Sequence, residues 1–330
     1  MRALIAVFLA TGSMMLGSPA DAADPAPLVL EAKIPLGNVR GRIDHFAIDL
    51  GRQRLFVAEL GNDSVGAVDL KTRQVLSTLT GLREPQGVGY AASTDTLYVA
   101  NAGDGSVHLY NGDTLSPIGR IDLGDDADNI RVDTRRNRVV VGYGSGALAV
   151  IDPTQKKKLS DIPLKAHPES FQLVEDGSKI FVNVPDARQI AVVDPDAGKQ
   201  TLTISPDEAR SNFPMAVDEA QHRVLVVFRS PSRLSAYGSR DGKQLSSVET
   251  CGDADDVFVD AERHRAYVTC GEGVVDVFAD RDARYERVAR IPTASGARTS
   301  LFVPELDRLY VAVRAGFSER AAIWIFRPTP

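Results

Sequence analysis

The chain has 330 residues, of which 43% are hydrophobic, enough for a large core. Its net charge of -6 at pH 7 argues against a nucleic-acid partner, which would need clustered Lys and Arg. The tightest basic run, Lys156-Lys157-Lys158, reads as a solvated hairpin tip between two strands.

At the N-terminus Arg2 precedes an apolar stretch, residues 4–16, which is too short to span a bilayer. Ala20-Asp21-Ala22 then has the A-x-A form of a cleavage site. These features predict a signal peptide over residues 1–22 and a mature chain beginning near Ala23. No twin Arg precedes the apolar stretch, so export of the unfolded chain is expected, and no Cys follows it to offer a lipoprotein anchor. No later segment reaches transmembrane length, which places the mature protein in the periplasm or outside the cell.

After a spacer with Pro25 and Pro27, residues 28–36 form a strand that resembles the last strand of each later repeat, such as residues 118–123. Then one short strand recurs seven times. Leu55-Phe56-Val57-Ala58, Leu97-Tyr98-Val99-Ala100, Val139-Val140-Val141-Gly142 and Ile180-Phe181-Val182-Asn183 are followed by Val224-Leu225-Val226-Val227, Ala266-Tyr267-Val268-Thr269 and Leu309-Tyr310-Val311-Ala312. The starts lie 41 to 44 residues apart. That period is one four-stranded propeller blade per repeat. The expected fold is all-β: a seven-bladed β-propeller with four antiparallel strands per blade, filling residues 23–330 as a single domain.

Each repeat opens with an inner strand, residues 45–49 in the first, then a polar turn, the recurring strand, a Gly- or Asp-rich loop, a third strand and a fourth. Asp49, Asp133, Asp218 and Asp260 stand six residues before the recurring strand and read as Asx-turn residues of the first hairpin. The seventh repeat ends early, because only four residues follow Phe326. An open edge strand invites aggregation, so the ring must close. Residues 28–36 are the closing piece, expected as the outer strand of the seventh blade.

Tyr98-Val99-Ala100-Asn101 and Tyr267-Val268-Thr269-Cys270 resemble the repeat of the YVTN-type β-propellers, which include YncE-like bacterial periplasmic proteins. The openings Glu84-Pro85-Gln86-Gly87-Val88 and Phe213-Pro214-Met215-Ala216-Val217 also fit that pattern. The resemblance covers residues from about 28 to 327. It implies a propeller fold in a group that contains ligand-binding proteins and relatives of haem or quinone enzymes. No CxxCH is present, so covalent c-type haem is not implied.

In such a ring the inner strands start on one face, around a central channel. The starting positions are Asp44, Gln86, Asp128, Glu169, Phe213, Asp255 and Arg298, with His45, Asn129, Ser170, Asp256 and Thr299 as neighbours. Loops after the second strands add Glu59, Asn101, Tyr143, Asn183, Arg229, Glu272 and Arg314. Asp44, Asp128, Glu169 and Asp255 come from four blades, and like charges that converge must be neutralised or share a cation. Their oxygens suit a divalent metal, Ca²⁺ or Mg²⁺. The alternative is a solvated rim on which each carboxylate caps a backbone N–H. Arg229, Arg298 and Arg314 either hold an anion beside that cation or pair with the acids.

His45 and His167 are the candidate acid/base residues, since only they stand near the channel mouth. The loop Gly142-Tyr143-Gly144-Ser145-Gly146 lacks the strand–turn–helix context of a nucleophile elbow. Cys251 and Cys270 flank the first hairpin of the sixth blade at one end and are expected to form a disulfide in an oxidising compartment. Two functional readings follow. One is a non-catalytic, monomeric, exported propeller that binds a small molecule, peptide or partner protein at the channel face. The other is a metal-dependent lyase or hydrolase, lactonase-like, with the acidic ring as metal ligands.

Overall fold

The computed structural model describes residues 26–281, 284–317 and 319–330; the expected signal peptide over residues 1–22 lies outside the described residues. The fold is seven four-stranded antiparallel sheets, arranged as a propeller. In the second blade the inner strand is Pro85–Ala91, the second Thr96–Asn101, the third Ser106–Asn111 and the outer Pro117–Asp122. No helix of the described residues is long and apolar enough to cross a membrane.

The strand character follows burial. A second strand is sandwiched between its own neighbours and the adjacent blades, so it reads as a continuous apolar run. Every residue of Thr96–Asn101 is buried, with Tyr98 at 0% exposure. Outer strands face solvent, and Gln74–Leu79 buries only its last residue. The core is therefore a set of layers between blades. One joins Tyr98 and Leu109 of the second blade to Ile130 and Val141 of the third. Another joins Tyr310 and Ile323 of the seventh blade to Phe46 and Leu55 of the first.

The ring closes as expected. Leu28–Pro35 pairs antiparallel with Ala322–Pro328, Leu28 opposite Pro328 and Pro35 opposite Ala322, and forms the outer strand of the seventh blade. The Thr329 backbone N–H and hydroxyl donate to the Pro27 and Ala26 carbonyls at 3.0 and 2.8 Å, which fastens the two ends together.

The Asx turns hold as well. Asp49, Asp133, Asp218 and Asp260 accept the backbone N–H of Arg52, Arg136, Gln221 and Arg263 at 3.0–3.1 Å. The same turns do something the sequence does not announce. The Arg52 guanidinium reaches Asp95 on the next blade at 2.9 and 3.0 Å, and Arg263 reaches Asp307 on the next blade at 3.0 Å. These bidentate or shared ion pairs stitch neighbouring hairpin tips on the face away from the channel mouth.

Cys251 and Cys270 are joined by a disulfide, with their Cα atoms 5.9 Å apart. The bridge closes a loop of 19 residues at the mouth-side end of the sixth blade. In the chain-entropy picture such a loop stabilises by about 3 kcal/mol. Cys251→Ser with Cys270→Ser should therefore lower the free energy of urea unfolding by about 2–4 kcal/mol; an unchanged midpoint would contradict this.

Candidate functional site

Five of the seven blades deliver their channel residue in the same way. The chain enters the inner strand through a residue with left-handed backbone, placed two positions before the strand-start residue. Glu84, Asp126, Ser211, Asp253 and Gly296 occupy this position, with φ between 33° and 78°. Backbone bonds then fix the start. Asp44 N–H donates to the Ala58 carbonyl at 2.7 Å, and Glu169 N–H donates to the Asn183 carbonyl at 3.0 Å. Adjacent inner strands pack closely here, and a Cβ on Gly87 would lie 1.9 Å from the Asp128 carbonyl oxygen. Only glycine permits that approach.

The four acids converge, but they are not equivalent. Asp255 is fully engaged: Arg229 Nη2 lies 2.5 Å from one oxygen and Arg298 Nε 3.2 Å from the other. Both guanidinium groups also contact Asp253, at 3.6 and 2.8 Å. Arg229 stacks 3.9 Å over the Phe213 ring, so the strand-start residue of the fifth blade is a platform for it. Asp44 is buried, with Arg42 Nη2 at 2.8 Å and His45 Nε2 at 3.7 Å. Asp128 is buried, and its nearest cation is His167 Nε2 at 3.9 Å. Asp128 Oδ1 and Asp44 Oδ2 have no hydrogen-bond partner among the described residues, the Arg42 contact lacking hydrogen-bond alignment. The Glu169 side chain makes no hydrogen bond or ion pair among the described residues. None of the four acids caps a backbone N–H there, so a rim held by such caps does not describe them.

Burial and mutual repulsion set the protonation of this cluster. Burial raises Asp44 to about 6 against the pull of His45 and Arg42, and the charges of Asp255 and Asp128 add to the rise. Burial and the charge of Asp128 raise Glu169 to about 7. Burial likewise lifts Asp256 to about 7. For His167 burial acts downward, but the Asp128 carboxylate, the Gly144 carbonyl and the charge of Asp126 prevail and raise it to about 9. His167 Nδ1 sits 2.6 Å from that carbonyl.

All four groups titrate above their ordinary values of 3.8, 4.5 and 6.5, so the folded state holds their protons more tightly. The stability they contribute is complete below about pH 4 and is lost as pH rises through their folded values. The melting temperature is expected to fall between pH 6 and pH 9, and to fall less in Glu169→Gln, a difference thermal melts at matched ionic strength will read. A flat or rising profile would refute it.

Other expected site residues divide. Asn129 Oδ1 accepts from Arg131 Nη1 at 3.2 Å. Gln86 is half-buried and makes no side-chain hydrogen bond among the described residues. Arg314 is exposed and forms no ion pair among them; a Cβ on Gly296 would lie 2.2 Å from its Nε, so it covers the loop before the seventh inner strand. Glu59 and Asn101 turn inward to hold their own loops, Glu59 accepting from Ser64 at 2.6 Å, and Asn183 donates across to the Phe213 carbonyl of the fifth blade at 2.9 Å. Arg42, Asp126 and Asp253 belong to the mouth and Arg131 to the channel below it, and all four escaped the sequence reading. Arg42, Asp126 and Asp253 share the position two before a strand start, an offset visible once the repeats are aligned.

For a divalent ion, no three His, Cys, Asp or Glu side chains among the described residues stand close enough to hold one. Arg42, Arg229 and Arg298 already occupy oxygens of Asp44 and Asp255 that such an ion would need.

No family model and no curated protein matches the chain. Among solved structures, a chain in the crystal structure of a mitotic checkpoint complex is similar, at 13% identity over 98% of both chains with a TM-score of 0.75. A likeness at that identity is one of fold, and the chain is a seven-bladed β-propeller.

Proposed function

We propose that this chain is an exported, monomeric propeller of the YVTN type, akin to the YncE-like proteins, that binds a cationic group of a small ligand or partner at the channel mouth without catalysis. The observation that carries the reading is the pair Asp128 and Glu169: among the described residues the buried Asp128 Oδ1 has no hydrogen-bond partner and the Glu169 carboxyl has no cation in contact. An amine or guanidinium between them supplies the missing charge and hydrogen bonds. The Cys251–Cys270 bridge fits an oxidising compartment, which supports export.

Agmatine, a guanidinium amine without a carboxylate, is the probe. Calorimetry should show saturable binding that strengthens from pH 6 to pH 8 as Glu169 ionises. Asp128→Asn with Glu169→Gln should weaken it by at least about tenfold, the equivalent of one charged hydrogen bond. Equal affinity in the double variant would defeat the reading.

One observation favours the lactonase-like lyase or hydrolase instead. His167, raised to about 9, and Glu169, raised to about 7, stand in one mouth, the arrangement of a proton donor and acceptor. Hydrolysis of a short lactone that Glu169→Gln abolishes would select it.

A further inference from the structure

Below the mouth the inner strands enclose a cavity of about 310 Å³ to which all seven blades contribute. Its polar lining includes His45, Arg131, Gln172, Asp256 and Ser300, and much of the rest is apolar, including Val88, Met215 and Leu301. Arg131 is the unusual member. Its Nη1 donates to the Ile130 carbonyl at 2.8 Å and to Asn129 Oδ1 at 3.2 Å. Its Nε and Nη2 make no hydrogen bond, and it forms no ion pair, among the described residues. The group lies 5.6 Å over the Phe171 ring. Asp256, the acid in the same cavity, is occupied with the Ser300 backbone N–H at 2.7 Å. A guanidinium that keeps one edge free inside a lined cavity is a receptor for a planar anion.

We propose that this chamber binds a small monocarboxylate with an apolar tail, the carboxylate on the Nε/Nη2 edge of Arg131 beside His45 and the tail against Val88, Met215 and Leu301. A dianionic phosphate fits worse, because Asp256 and the mouth acids repel the second charge. The volume lies at the lower end of ligand cavities, about 300–1,000 Å³, which limits the tail to a few carbons. The chamber site stands apart from the cation reading of the mouth, since Arg131 and Met215 are not its carboxylates.

Hexanoate is the probe, with hexan-1-ol as its uncharged match. Calorimetry should show saturable hexanoate binding to the wild-type protein, with hexan-1-ol at least about tenfold weaker. Met215→Trp fills the apolar end without touching a charge and should abolish binding. Arg131→Met should reduce hexanoate to the level of the alcohol. Asp128→Asn with Glu169→Gln should keep hexanoate binding while losing agmatine, which separates the two sites. No hexanoate binding by the wild type at millimolar concentration, alcohol binding equal to the acid's, or wild-type affinity in a folded Met215→Trp protein would each overturn the assignment.

Discussion

Deletion of residues 28–36 is expected to unfold the protein, not merely to trim it. This strand buries Leu28, Ile34 and Leu36 at 2%, 0% and 4% exposure. Burying a side chain of this kind contributes about 1.5–3 kcal/mol, so the three together supply on the order of 5–9 kcal/mol. The ladder to Ala322–Pro328 adds hydrogen bonds worth about 0.5–1.5 kcal/mol each. That sum rivals the whole stability of a typical domain, about 5–15 kcal/mol. Ile34 also packs in the layer between the seventh and first blades, with Tyr310, Ile323 and Leu55, so its loss loosens the junction and not one blade alone. The bared strand carries Trp324, now covered by Lys33 at 3.6 Å from its ring, and would become an aggregation edge. Ile34→Ala gives a graded version, about 2–5 kcal/mol by cavity formation. A truncated protein that melts with the intact one would show that the strand does not close the ring.

The fold was legible because a repeat states its architecture many times over. Seven copies of one apolar strand give blade number, and an early strand matching the missing one gives closure. Disulfide pairing was legible because both Cys sit at one end of one hairpin. The mouth was legible in position and not in pairing. Strand starts align across repeats, so Asp44, Asp128, Glu169 and Asp255 could be named as a set. Which acid is compensated depends on side-chain reach across blades: Arg229 of the fifth blade extends to Asp255 of the sixth, and Arg298 of the seventh joins it. No periodicity encodes such contacts. Arg131 was missed for a different reason. It stands inside the inner strand Ala127–Asp133, where attention to strand starts passes over it, although a charge inside an inner strand was itself the signal. Loop residues such as Asn101 and Asn183 share a face with the site, but their amides bond to backbone, that of Asn101 to Ser106 in its own hairpin and that of Asn183 to Phe213 in the next blade.

Asp255→Asn and the Asp128→Asn, Glu169→Gln double variant should move stability in opposite directions, although all three residues belong to one ring of acids. Asp255 holds two guanidinium groups whose side chains are 20% and 23% exposed. Removing its charge leaves Arg229 and Arg298 facing an amide, and only Asp253 remains for both. Breaking a buried pair from one side costs about 3–5 kcal/mol; discounted for the partial exposure of the two Arg, a loss of about 2–3 kcal/mol is expected. Asp128 and Glu169 bring charge without a matched cation. Neutralising them relieves repulsion within the ring and removes the cost of desolvating the Glu169 charge, the cost that lifts its carboxyl to about 7. The cost is the His167 contact of Asp128, which at 3.9 Å is a weak one. At pH 8, where Glu169 is ionised in the wild type, urea unfolding of the double variant should therefore show equal or higher stability. A comparable drop in both proteins would mean that the whole ring is structural scaffolding, and the mouth would lose its claim to a ligand.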